Sequence, residues 1–132
     1  MMFYSAQKAR TVVIALVSVC ILLGMFSLSY ADAKNADLIE MLSSENRGWR
    51  YSAAQLLGER KVAEAVEPLI ERLKVEKDSS LRLVVLQALH KIGDPKAIPA
   101  LKKVANSDRN RTVRHMAAVL ATNMEKYAYA PQ

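Results

Sequence analysis

From about residue 35 onward, apolar and polar positions alternate with the period of an α-helix, and the pattern then repeats itself. Leu81, Val85, Ala88, Leu89 and Ile92 follow the spacing i, i+4, i+7, i+8, i+11, which is one apolar helical stripe. The matching positions one repeat earlier hold Trp49, Ala53, Leu56 and Leu57, and one repeat later they hold Val113, Ala117, Leu120, Ala121 and Met124. A second segment recurs between these stripes: Leu38-Ile39-Glu40-Met41-Leu42, Leu69-Ile70-Glu71-Arg72-Leu73 and Leu101-Lys102-Lys103-Val104-Ala105. Each unit therefore contains two helices, A and then B. The pattern predicts A1 over about 35–44, B1 over 47–60, A2 over 63–75, B2 over 79–92, A3 over 95–106 and B3 over 109–127. No long alternation of apolar and polar residues suggests a sheet. A fixed period of this length predicts an all-α fold, an α-solenoid of about three helical hairpins that bury apolar faces against their neighbours. Trp49 is expected in the buried slot of B1.

Arg50, Arg82 and Arg114 mark the same period. Asp78-Ser79-Ser80 and Ser107-Asp108 offer N-caps to B2 and B3. Gly93-Asp94-Pro95 supplies a glycine to end B2, a capping aspartate, and a proline for the first position of A3. The longer run Gly93-Asp94-Pro95-Lys96-Ala97-Ile98-Pro99-Ala100-Leu101 resembles the G-D-P-x-A-[IV]-P-x-L turn of HEAT-like repeats, in particular the short version named after the phycobilisome lyases. The resemblance covers roughly residues 36–127. The first junction departs from it: Gly58 to Val66 keeps Ala65-Val66 but lacks Asp-Pro. The resemblance implies an α-solenoid scaffold, and it implies that Arg50, Arg82 and Arg114 form a structural ladder joining turn acids and carbonyls, with Asp78 and Asp108 near enough to serve. The competing reading of that ladder is a site for an acidic ligand.

Residues 1–33 are of another kind. Lys8 and Arg10 precede an uncharged stretch, Thr11–Ala31, and Ser27-Leu28-Ser29-Tyr30-Ala31-Asp32-Ala33 follows its apolar core. This is the pattern of a secretory signal peptide cleaved after Ala31 or Ala33. The alternative is an uncleaved anchor through residues 11–31, long enough to span a bilayer. Either way residues 34–132 are expected outside the cytoplasm, periplasmic or secreted. Cys20 lies in the apolar core, and Val19 before it is too large for a lipoprotein site, so the mature chain has no thiol chemistry or disulfide.

Charge sharpens the picture only locally. The chain carries a formal +6, and residues 1–33 contribute little to it, with Lys8 and Arg10 against Asp32. Lys91, Lys96, Lys102, Lys103, Arg109 and Arg111, with Arg114, gather in the last repeat against Asp94 and Asp108. Outside the cytoplasm such a patch suits anionic lipid, cell-wall polymer or an acidic protein rather than nucleic acid.

Candidate chemistry is sparse. His90 and His115 sit on B helices, but His90 is equivalent to Thr122 and not to His115. His115 is offset by roughly 10 Å along the axis and roughly 9 Å between axes, so no metal pair is expected. Glu64, Glu67 and Glu71 share one face of A2 and read as a solvated surface. No phosphate loop, nucleophile elbow or zinc-protease motif occurs. The expectation is a non-enzymatic chain without catalytic residues, cofactor or metal. Tyr51, Gln55 and Gly58, then Leu83, Gln87 and His90, then His115, Val119 and Thr122 share one side of the B helices, off the main stripe. That side is the candidate partner surface, unless these residues pack between neighbouring B helices. The function expected is an exported protein-binding scaffold. The alternatives are a membrane-tethered module meeting anionic lipid or cell-wall polymer through its last repeat, and a lyase or maturation factor.

Overall fold

The computed structural model describes Ser18 and residues 34–128. The chain divides into two compact units, Met1–Lys34 and Asn35–Gln132. The expected leader, its cleavage sites and Cys20 lie outside the described residues. The repeats make up the second unit.

Among the described residues of that unit all regular structure is helical. Helix α1 covers 34–41, α2 Arg47–Glu59, α3 Val66–Val75, α4 Ser79–Ile92, α5 Ile98–Ser107 and α6 Arg111–Ala128, with 3-10 turns at Ala63–Ala65 and Pro95–Ala97. Helices α1, α3 and α5 are the A helices, and α2, α4 and α6 the B helices. The B helices stand side by side: α4 packs on both α2 and α6. Leu57, Leu69, Leu81, Val85, Leu86, Leu89, Leu101 and Val113 are fully buried along the axis of the stack. Chain neighbours form each hairpin, as α5 and α6 do. The contacts that hold the fold are therefore local, as in other repeat stacks.

Capping follows the repeat. Asn46, Asp78 and Asn110 occupy equivalent positions, and each accepts hydrogen bonds from backbone N–H groups in the first turn of its B helix. The expected cap of α6 at Ser107-Asp108 is thus displaced to Asn110. The Asp108 carboxylate accepts from the Asn110 N–H instead, and the Ser107 hydroxyl donates back to the Lys103 carbonyl. Helix α1 ends earlier than its apolar pattern suggests, because i→i−3 bonds to the carbonyls of Ile39, Glu40 and Met41 tighten its last turn.

The two B-to-A junctions solve one backbone problem differently. Gly93 ends α4 at φ 78°, and Asp94 caps the following 3-10 turn through the Lys96 N–H. At the equivalent position of the first junction Lys61 takes the same left-handed conformation, at φ 52°. Val62 replaces the capping aspartate and is buried. A side chain in this region costs roughly 1 kcal/mol or more. The first junction offsets that with apolar burial.

Trp49 departs from expectation. Leu81 and Val113 occupy its slot in the later repeats and are fully buried, but Trp49 is 57% exposed. The slot faces the preceding hairpin, and no hairpin precedes repeat 1 among the described residues. The opposite face of the described repeats differs in chemistry. Ile70 and Leu86 are buried against repeat 3, whereas their equivalents Lys102 and Ala118 are exposed. Lys102 pairs there with Glu125. The outward face of repeat 3 thus offers a lysine and an alanine where repeat 2 offers isoleucine and leucine.

Candidate protein-binding surfaces

The arginine ladder belongs to the interior of the stack. Arg50 Nη1 donates to the carbonyls of Ser44 and Glu45, both at 2.8 Å. Arg82 repeats this on Glu76 and Lys77, both at 3.0 Å, and Arg114 on Asp108 and Arg109 at 2.7 and 3.2 Å. Each arginine thereby fixes the turn that leads into its own helix. Two of them also reach forward into the next repeat. Arg50 Nε donates to Glu76 at 3.1 Å. Arg82 Nη2 donates to Asp108 Oδ1 at 2.9 Å, while its Nε lies 2.9 Å from Oδ2 without being aimed at it. The Arg50 and Arg82 side chains are only 13% exposed, and their guanidinium groups are occupied by these bonds.

The acid that meets Arg50 is Glu76, not Asp78. Asp78 caps α4 through the Leu81 N–H and accepts from Arg47 Nε at 2.6 Å. These bonds hold its carboxyl below the usual range. Glu76 is the buried charged residue of the core, and the sequence pattern did not single it out. Its Oε1 accepts from the N–H groups of Lys77 and Asp78, both at 3.0 Å. Its Oε2 lies 3.1 Å from Arg50 Nε and 2.9 Å from Arg72 Nη2. Burial pushes its carboxyl pKa up, but the Asp78 N–H and the two guanidinium groups outweigh burial and leave it below its ordinary value. A signal was available: Glu76 and Asp108 each stand six positions before a ladder arginine, at the repeat spacing.

The candidate partner side of the B helices divides in two. Gly58 is buried where α2 meets α4, and a Cβ built on it would come within 2.6 Å of the Ala88 Cα. Leu83 and His90 are half-buried, and Leu83 packs against the core. These three lie between repeats rather than on an open face. Tyr51, at 40% exposure, and Val119, at 42%, remain outside with Gln55 and Gln87. His115 and Thr122 are also exposed, because no further hairpin covers α6 among the described residues. Gln55 donates to Glu59 along the same helix. No group of three or more His, Cys, Asp or Glu side chains is placed to hold a metal among the described residues.

The basic residues of the last repeat do not form one patch. All six are exposed, but Lys91 and Lys96 flank the B-to-A junction while Arg109 and Arg111 flank the A-to-B turn. Helix α5, about 15 Å long, separates those two ends. Lys102 and Lys103 are adjacent on α5 and point to different sides. Lys102 lies with Glu125 on the outward end face, whereas Lys103 lines a groove between α3 and α5.

That groove is a second candidate surface, with a volume of about 870 Å³. Helix α3 meets repeat 3 through the 3-10 turn Pro95–Ala97 more than through α5. The two A helices therefore part toward the A-to-B turns. Ile70, Leu73, Ala100 and Val104 supply apolar walls, and Lys77, Lys103 and Arg109 supply charge.

Residues 35–121 match the family described as HEAT repeats. The chain is also 36% identical over 83 residues to the "Bilin biosynthesis protein PecE" of Mastigocladus laminosus. That match covers 63% of this chain and 30% of the relative, so the chain spans less than a third of that protein's length.

Proposed function

The chain belongs to the HEAT-repeat family, and we propose that it works as a non-enzymatic, exported scaffold that binds a protein partner across its B helices. The observation that carries this reading is the row of uncovered side chains on the locked stack. Tyr51 and Gln55 of α2, Gln87 of α4 and Val119 of α6 stand on neighbouring helices whose backs are fixed by the buried core and the arginine ladder. An aromatic and an aliphatic anchor separated by amides, on a backbone that need not reorganise, suit a protein surface.

Export rests on the apolar, Ala-x-Ala-terminated leader at residues 1–33. Mass measurement of the mature chain tests it: a product starting at Asp32 or Lys34 agrees, and an intact start at Met1 points to the anchored form.

Crosslinking pull-down from the cell envelope tests the scaffold. The parent is expected to capture a discrete partner. A Tyr51→Ala, Val119→Ala variant, folded by circular dichroism, is expected to lose it. Retained capture by that variant would move the partner away from the B face. The similarity to a bilin biosynthesis protein favours one second reading, a role in handling a bilin. Mixing the protein with free bilin tests that role: an unchanged absorbance spectrum excludes it.

A further inference from the structure

We propose that the groove between α3 and α5 is a docking site for an acidic peptide segment of a partner protein, one that places aliphatic side chains on the groove walls. The site is additional to the B-helix face and does not depend on it.

The charges of the groove do not cancel. Its two carboxylates, Glu76 and Asp108, are already bonded to Arg50, Arg72 and Arg82. Lys74 is paired with Glu71. Lys77, Lys103 and Arg109 line the groove, and none of them has an ion-pair partner among the described residues. Three uncommitted cations therefore face one concavity whose acids are spent.

Between the cations the surface is apolar. Ile70 and Leu73 come from α3, and Ala100 and Val104 from α5. Val75, at the mouth, is 63% exposed, the most exposed aliphatic side chain among the large hydrophobics of the described residues. A small inorganic anion would leave Val75, Ala100 and Val104 in contact with water. A chain segment with carboxylates toward the lysines and an aliphatic residue on Val75 and Val104, over the buried Ile70 and Leu73, would use both kinds of wall. The volume falls within the usual range of ligand clefts, about 300–1,000 Å³. The length of α5 would take about four or five residues of extended chain.

The test uses protein purified from cells expressing the full chain. The probe is a fluorescein-labelled peptide of about six residues alternating Glu and Leu, followed by anisotropy. The comparison probes are the Lys-Leu and Glu-Ser peptides of equal length, inorganic phosphate as competitor, and phosphatidylglycerol vesicles. Saturable binding of the Glu-Leu peptide is expected, with no binding of the Lys-Leu peptide and binding of the Glu-Ser peptide weakened about fivefold or more. Lys103→Glu, Arg109→Glu should weaken the Glu-Leu peptide about tenfold or more, whereas Lys91→Glu, Lys96→Glu should leave it within about twofold. The second variant makes the same change of net charge at the other end of α5. Equal losses in the two variants would reduce the site to non-specific charge and overturn the proposal. So would absent peptide binding, full competition by millimolar phosphate, or binding to vesicles alone. Tyr51→Ala, Val119→Ala should bind the peptide normally, which separates failure of the groove from failure of the B-face scaffold.

Discussion

Removing the Glu76 carboxylate should destabilise the stack more than any other change to a single polar side chain. In Glu76→Ala, Arg50 and Arg72 lose their shared anion, and the N–H groups of Lys77 and Asp78 lose their acceptor. The guanidinium groups are largely shielded, with side chains 13% and 19% exposed. Deleting one partner of such a buried pair costs about 3–5 kcal/mol. Arg50 keeps its two carbonyl bonds, which favours the lower end. A domain of this size has about 5–15 kcal/mol in total, so about 3 kcal/mol corresponds to a fall in Tm of about 12–24 °C. Glu76→Gln keeps one carbonyl oxygen for the turn N–H groups and loses the charge, so it should fall between parent and alanine variant. The acid dependence follows from the depressed carboxyl pKa. The unfolded chain binds the proton at higher pH than the folded chain does. The Glu76 contribution is therefore complete above the ordinary carboxylate value of 4.5 and is lost as pH falls through the lower folded value. Urea melts of parent, Glu76→Ala and Glu76→Gln at neutral pH and at pH about 3 would measure this. A Glu76→Ala protein within about 0.5 kcal/mol of the parent at neutral pH would refute the reasoning. So would an acid-induced loss of the same size in Glu76→Gln and parent.

Four further outcomes are expected. Leu89→Asp should give no cooperative melt, since it puts an unpaired carboxylate at a fully buried position; a parent-like transition would show the register to be wrong. Gly58→Ala should cost about 1–3 kcal/mol by driving α2 from α4, and adding Ala88→Gly should recover part of it in a double-mutant cycle, because the new Cβ would meet the Ala88 Cα at 2.6 Å and its Cβ at 2.9 Å. Lys61→Gly should stabilise by about 0.5–1 kcal/mol by relieving the left-handed conformation at the first junction; an unchanged or lower melting midpoint would count against strain there. Residues 34–132 should fold without the leader, giving a helical spectrum and a cooperative melt; a disordered spectrum would show that the repeats need residues 1–33.

The helices were legible because their information repeats. The stripe through Leu81, Val85, Ala88 and Leu89 and its copies located the B helices closely, and Gly93-Asp94-Pro95 located the second junction. What escaped depended on neighbours that a stripe does not name. Trp49 has the same spacing as Leu81, but burial there requires a preceding hairpin. Leu83 and His90 look like surface residues on a helical projection, yet they lean into the seam between repeats. Gly58 reads as part of an open partner side, and only the approach of Ala88 shows that it lies in a helix contact. Glu76 was passed over for Asp78 because both are acids near the start of α4. The division of labour between them, one gripping arginines and one capping, is visible only in the bond directions. The groove needs two A helices to diverge, and no property of either helix alone encodes that.

The change from Ile70 and Leu86 to Lys102 and Ala118 on the outer face of repeat 3 has a consequence for how such a chain can be lengthened. Repeat 2 carries a docking surface on each side, together with an acid for the arginine behind it and an arginine for the acid ahead. Repeat 3 offers Lys102, paired with Glu125, and the small Ala118 where repeat 2 offers Ile70 and Leu86 to its follower. A copy of residues 63–94 spliced in after residue 94 would meet compatible surfaces on both sides, whereas the same copy appended behind α6 would meet charge. A duplicated internal module inserted at the middle junction is therefore expected to be accepted more readily than one added behind α6, with repeat 3 carried outward unchanged.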